Sequence, residues 1–283
     1  MKRHSFLILA FFFFSSAIYA QVFSLRGLEQ YNQQLISPAY IIPDSKIQID
    51  LIPYSIDYTD AVIANLLISL PRYNSGVASG FRIYNNSQFY SAGINIDYAY
   101  RYFFTKDIKL TGGLRVNYSK NSFRNSSFPD FPIIDVRALN TTLASALNYR
   151  NLRAGFNIII PLFNKTFYFI SFNGTDTRFD RLPNVYQFVC DYTLGKRDRI
   201  LINSIMNLRC SDNRINWFLG SKVMVKDIIG LGFTFGDVFS LSTSLKLKNK
   251  VQLIFGIYSK EDDKKFSIDF SPVNFICQVR INL

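Results

Sequence analysis

The dominant period along this chain is two. Ile94, Ile96, Tyr98, Tyr100 and Tyr102 alternate with Asn95, Asp97, Ala99 and Arg101. Ile108, Leu110, Leu114, Val116 and Tyr118 alternate with Lys109, Thr111, Arg115, Asn117 and Ser119. The clearest run sets Phe239, Leu241, Thr243, Leu245 and Leu247 against Ser240, Ser242, Ser244, Lys246 and Lys248. Alternation of this kind places one set on each face of a strand. Beyond the first twenty residues no stretch carries a 3.6 period, so the pattern predicts an all-β protein.

The predicted strands cover 46–54, 61–70, 76–85, 88–103, 108–120, 140–149 and 152–162. They continue with 185–194, 199–209, 214–225, 228–235, 238–248, 251–258 and 274–283. Many are about 8–16 residues long, against a soluble mode of about 5–6. A tilted strand crossing a bilayer needs about 9–11 residues. The count is about fourteen, and single-chain outer-membrane barrels use even numbers. The connections alternate as well. Tight ones fall at 71–75, 104–107, 150–151, 195–198, 226–227 and 249–250, and long ones at 121–139, 163–184 and 259–273. All the long ones belong to the opposite set from the tight ones, as outer loops and periplasmic turns do. The expected fold is a transmembrane antiparallel up-and-down β-barrel of about fourteen strands, preceded by a short N-terminal segment that is not strand. A soluble β-sandwich also alternates, but it does not explain strand length, loop parity or the aromatic excess.

That excess is 28 Phe and 17 Tyr, crowded at strand ends, where girdles at the membrane interfaces place them. The final strand alternates Phe275, Cys277, Val279, Ile281 and Leu283 with Ile276, Gln278, Arg280 and Asn282. A strand running to the last residue suits closure of a barrel.

The first twenty residues read differently. Lys2 and Arg3 precede an apolar run from Phe6 to Phe14 and the small residues Ser15, Ala17 and Ala20. This is the form of a secretory signal peptide. Cleavage is expected after Ala20, leaving Gln21 first, with Ala17 as an alternative. The expected organisation is a signal at 1–20, a periplasmic or plug segment at 21–45 and an outer-membrane barrel at 46–283.

Candidate chemistry is sparse. The one His, His4, lies in the signal, so the mature chain offers no Ser-His-Asp or Cys-His arrangement and no His-based metal site. Cys190, Cys210 and Cys277 read as small apolar fillers, and no cofactor or metal is expected. Glu261, Asp262 and Asp263 beside Lys260, Lys264 and Lys265 read as a self-neutralising loop tip. The net charge of +12 falls to +10 without Lys2 and Arg3. Basic residues are scattered singly on an exported, aromatic-rich chain, which points away from nucleic acid. Arg101, Lys109, Arg115, Arg153, Lys222, Lys246 and Arg280 alternate with apolar residues and are expected to face the barrel interior. They either pair with acids such as Asp97 and Asp191 or line an anion-selective pore.

The mature N-terminus carries Gln30-Tyr31 and then Ser37-Pro38-Ala39-Tyr40. It resembles the start of the PorP/SprF family of type IX secretion system outer-membrane proteins. Gly93-Ile94-Asn95-Ile96-Asp97-Tyr98-Ala99-Tyr100, the Leu110-to-Leu114 stretch, and Leu152-Arg153-Ala154-Gly155-Phe156 with Ile160-Pro161-Leu162 resemble later strands of that family. The chain departs from it in carrying Ile41-Ile42 after the Pro-Ala-Tyr element. It also lacks a tryptophan in the first hairpin. The resemblance implies a non-enzymatic barrel in the outer membrane, in contact with its lipid. Such a barrel supports secretion or surface retention of a large client such as a gliding adhesin, and it works with secretion components that include a peptidoglycan-binding periplasmic protein. A porin or transporter for small solutes is the alternative. Gln30, Tyr31, Pro38, Ala39 and Tyr40 are the candidate contact residues, either docking a periplasmic partner or plugging the lumen.

Overall fold

The computed structural model describes residues 36–42, 46–56, 59–85, 89–123, 133–170, 174–179, 183–196, 198–211, 214–236, 238–247, 250–260 and 274–283. The signal, Gln30, Tyr31 and the acidic run at 261–263 lie outside these residues.

Strands dominate. In chain order they are β1 (Ile47–Ile56), β2 (Thr59–Leu70), β3 (Ser75–Asn85), β4 (Phe89–Phe103) and β5 (Ile108–Phe123). Next come β6 (Ile133–Tyr149), β7 (Leu152–Ile170), β8 (Gly174–Phe179), β9 (Val185–Gly195) and β10 (Ile200–Ser211). The last five are β11 (Arg214–Val225), β12 (Ile229–Gly236), β13 (Val238–Leu247), β14 (Val251–Lys260) and β15 (Asn274–Asn282). Each pairs antiparallel with its neighbours, and β1 pairs with β15, so the sheet closes on itself. Fourteen strands form the ring. β8 is not one of them: it pairs with the far end of β7, from Lys165 to Ile170, while β9 takes the near end, from Leu152 to Ile159.

The connections expected to be tight are tight, and their backbones show why. Lys226 and Asp227 both have positive φ, at 52° and 55°, and the Ile228 amide donates to the Val225 carbonyl at 3.0 Å. That is the two-residue turn whose twist matches a hairpin. Asn74 and Arg150 adopt the same left-handed conformation at their turns. The Ile47 amide donates to Leu283 and the Leu283 amide to Ile47, at 3.2 and 2.9 Å. The first strand therefore starts, and the last ends, at the short-turn side, which is periplasmic in bacterial barrels of this kind.

Two expected long loops are in large part strand. β6 begins at Ile133 and β7 runs to Ile170, so 121–139 and 163–184 contain extended ladders rather than open connections. The period breaks there because Leu162 is an extra residue: Asn140 pairs with Pro161 and Leu139 with Phe163. Proline cannot donate to the ladder, and the bulge absorbs the irregularity before pairing resumes. At 19 residues, β7 is far longer than a bilayer crossing requires, so this wall projects well beyond the membrane on the long-loop side.

Burial separates barrel from sandwich. Ile94, Ile96 and Leu231 are 56–62% exposed, whereas Asp97 is 2% exposed and Asp50, Asn157 and Gln278 are fully buried. A protein in water would invert that order. Apolar outside and polar inside is the arrangement of a lipid-embedded barrel. Exposed Tyr73, Tyr100, Tyr102, Phe103, Phe104 and Tyr149 gather near the short turns, with Tyr102 and Phe104 edge to face at 4.9 Å. Cys190, Cys210 and Cys277 are free thiols.

Candidate functional site

The site that distinguishes this barrel is the seat of residues 36–42 inside it. Pro38–Tyr40 form one 3-10 turn packed on β4, β5 and β6. Ser37 starts that turn: its backbone is extended, which the following proline favours, and its Oγ accepts from the Ala39 amide at 3.2 Å. The same hydroxyl donates to Asn157 Oδ1 at 2.7 Å. Asn157 Nδ2 donates back to the Ile36 carbonyl at 3.4 Å and on to Gln187 Oε1 at 3.1 Å. Gln187 Nε2 then donates to Asn207 Oδ1 at 3.0 Å. A neutral amide relay therefore runs across β7, β9 and β10 and ends on the segment.

Apolar contacts complete the seat. Ile36, Ala39 and Tyr40 pack with Ala146, Val189, Ile205 and Phe218. Ile41 is fully buried with Leu67, Ala78 and Ala99. The segment thus touches strands from β2 to β11. Two glycines give it room. A Cβ on Gly113 would lie 2.5 Å from the Ala39 nitrogen, and one on Gly155 would lie 2.8 Å from the Tyr40 hydroxyl. The Arg153 guanidinium stands 4.8 Å from the centroid of the Tyr40 ring. Burial raises the Tyr40 phenol above its ordinary range, with Asp191 adding to the shift, so the ring stays neutral.

The basic residues singled out in the sequence share strand parity with the buried inner positions. Arg115 donates to Asp97 through Nε at 2.8 Å and Nη2 at 2.6 Å. Arg280 donates through Nε to Asp50 at 2.7 Å, where Gln48 and Gln278 also donate. Lys246 pairs with Asp227. Arg153 donates to Asn148 at 2.6 Å and lies 4.0 Å from Asp191. Lys109 stands over the Phe103 ring at 5.4 Å. Lys222 lies in the field of Arg280, Asp227, Lys246 and Asp191. Arg101 shares the face of buried Asp97 and Ala99. Arg82, which donates to Asn117 at 3.3 Å, and Arg209, in register with Gln187, also lie on the inner face.

The structure brings Pro38, Ala39, Tyr40 and Arg153 together. It places Arg115 and Arg280 in separate ion-pair clusters. Sequence reasoning missed Gly113, Gly155, Asn157, Gln187 and Asn207. The available signal was three uncharged amides at inner-face parity on neighbouring strands.

A profile of the family described as "Type IX secretion system membrane protein PorP/SprF" matches residues 29–271. The chain belongs to the PorP/SprF family. As a PorP/SprF protein it is a type IX secretion system membrane protein built as an outer-membrane β-barrel. No curated protein matches it by sequence. Among solved structures, the Pseudomonas putida toluene transporter TodX is 9% identical, covers 89% of this chain and 94% of its own, and superposes with a TM-score of 0.52. That likeness supports the barrel fold. The CymD monoaromatic hydrocarbon channel is 8% identical, covering 92% and 94% at a TM-score of 0.49. The KdgM porin, in complex with disordered oligogalacturonate, is 12% identical, covering 83% and 99% at 0.43.

Proposed function

We propose that this PorP/SprF barrel supports secretion or surface anchoring of a large client protein, such as an adhesin, through contacts at its two ends and without chemistry of its own. The observation that carries this reading is the occupied lumen. A segment bonded to Asn157 and packed against walls from β2 to β11 suits a contact platform better than an open solute pore. Pro38, Ala39 and Tyr40 anchor the segment. The chain before them, with Gln30 and Tyr31, is the docking end for a peptidoglycan-binding periplasmic component of the secretion machine. Export follows cleavage between Ala20 and Gln21.

The test deletes the gene and compares surface proteins with those of the parent strain. Loss of one large surface protein, restored by the unaltered gene, is the expected result. A Gln30→Ala, Tyr31→Ala double variant should restore a heat-modifiable barrel in the outer membrane without restoring the client. An unchanged surface in the deletion strain would refute the role, and full display with the double variant would refute the docking site.

A further inference from the structure

We propose that the lumen is a latent anion-selective passage and that residues 36–42 are its occluder. The inference goes beyond the secretion reading and is tested on purified protein without any client.

The wall beneath the segment is shaped for it. The inner face carries polar and apolar positions, and two of its apolar patches lie under the segment. Val189, Ile205 and Phe218 form one, and Leu67, Ala78 and Ala99 the other. The segment covers both, with Ile36 on the first and Ile41 on the second. At Gly113 the contact is backbone to backbone, and any larger residue there would collide with Ala39. This is a dedicated seat.

The attachment is of a kind that can be undone. Residues 36–42 read Ile-Ser-Pro-Ala-Tyr-Ile-Ile and carry no charge. Their polar bonds run through Ser37 and the amide of Asn157. Withdrawal strands no ion, and the loss is that of neutral hydrogen bonds and apolar contact. It also uncovers the face of Arg153 now stacked on Tyr40.

What withdrawal would open is electropositive. Among the described residues, the nine inner-face basic residues above stand against Asp50, Asp97 and Asp191 on the same face and Asp227 in the turn beside Lys246. Their pairings leave the sum positive, and because the occluder is neutral the excess belongs to the wall itself. A narrow, low-dielectric lumen with excess positive charge concentrates anions and repels cations.

The experiment records currents from purified barrels in planar bilayers under a KCl gradient. Three proteins are compared: the unaltered chain, Gly113→Val, whose side chain invades the Ala39 backbone, and Ala39→Phe, which overfills the seat from the other side. The second variant decides the matter if Gly113→Val fails to fold, and heat-modifiability certifies folding. The unaltered protein should give no steps. A folded variant should give discrete steps with a reversal potential displaced toward the chloride equilibrium potential. Adding Lys222→Gln to that variant should reduce the displacement. Folded variants that stay silent would overturn the proposal, as would equal conductance in the unaltered protein. Steps without chloride preference would overturn the assigned selectivity.

Discussion

Two buried polar networks tie the ends of the strand order to the barrel, and they are built from opposite materials. At the seam between β1 and β15, Asp50 accepts from Arg280, Gln278 and Gln48. Under the occluding segment, Asn157 exchanges hydrogen bonds with Ser37, the Ile36 carbonyl and Gln187. Both central side chains are fully buried. The seam holds a full charge that must never lose its partner, since an uncompensated buried ion is among the costliest defects in a protein. The seat holds only neutral groups, whose separation costs far less. Charge is used where the wall must stay shut, and amides where a segment can leave.

The strongest way to break that contrast is Arg280→Leu. With Asp50 left uncompensated, stability should fall by about 3–5 kcal/mol, read as a lower urea midpoint of the heat-modifiable form. Asp50→Asn in the same chain should recover part of the loss. Next comes a charge on the opposite face. Leu241 is exposed near the middle of β13, so Leu241→Arg should cost about 2–4 kcal/mol in lipid. Leu245 lies nearer the short turn, and Leu245→Arg should cost less. Asn157→Ala removes the amide that donates to Gln187 Oε1 and to the Ile36 carbonyl and should cost about 1–3 kcal/mol. The effect should appear as protease access to the N-terminal segment while the barrel stays intact. The smallest effect is expected from Lys246→Leu, which breaks a partly exposed pair with Asp227 worth about 0–1 kcal/mol. If Asn157→Ala unfolds the barrel as fully as Arg280→Leu, the two networks do not differ in kind.

The lipid-facing wall was legible because membrane and lumen impose opposite demands on successive residues. Ile94, Ile96, Tyr98 and Tyr100 report that conflict directly. The outer parts of β6 and β7 were not legible, because the alternation fades into Asn164, Lys165 and Thr166. The bulge at Leu139 and Asn140 then shifts whatever period remains. The segment around Pro38 stood out as non-strand, and its aromatic marked it as a contact element. Its seat was hidden, since Gly113 and Asn157 are residues a lumen could carry for no special reason. Only the register, which sets Asn157 opposite Gln187 and Gln187 opposite Arg209 beside Asn207, assembles the relay.

Three residues, 43–45, separate Ile42 from Lys46 at the foot of β1. A linker of that length reaches at most ~10 Å. A segment lifted from its seat therefore remains on a leash, and its return is an intramolecular event at an effective concentration in the millimolar range or above. Weakening the seat would not produce a steadily open barrel. It would produce flicker, with open times set by the leash and closed times by the bonds that Ser37 and Asn157 still hold. Lengthening the leash should stretch the open intervals while leaving the current through each one unchanged.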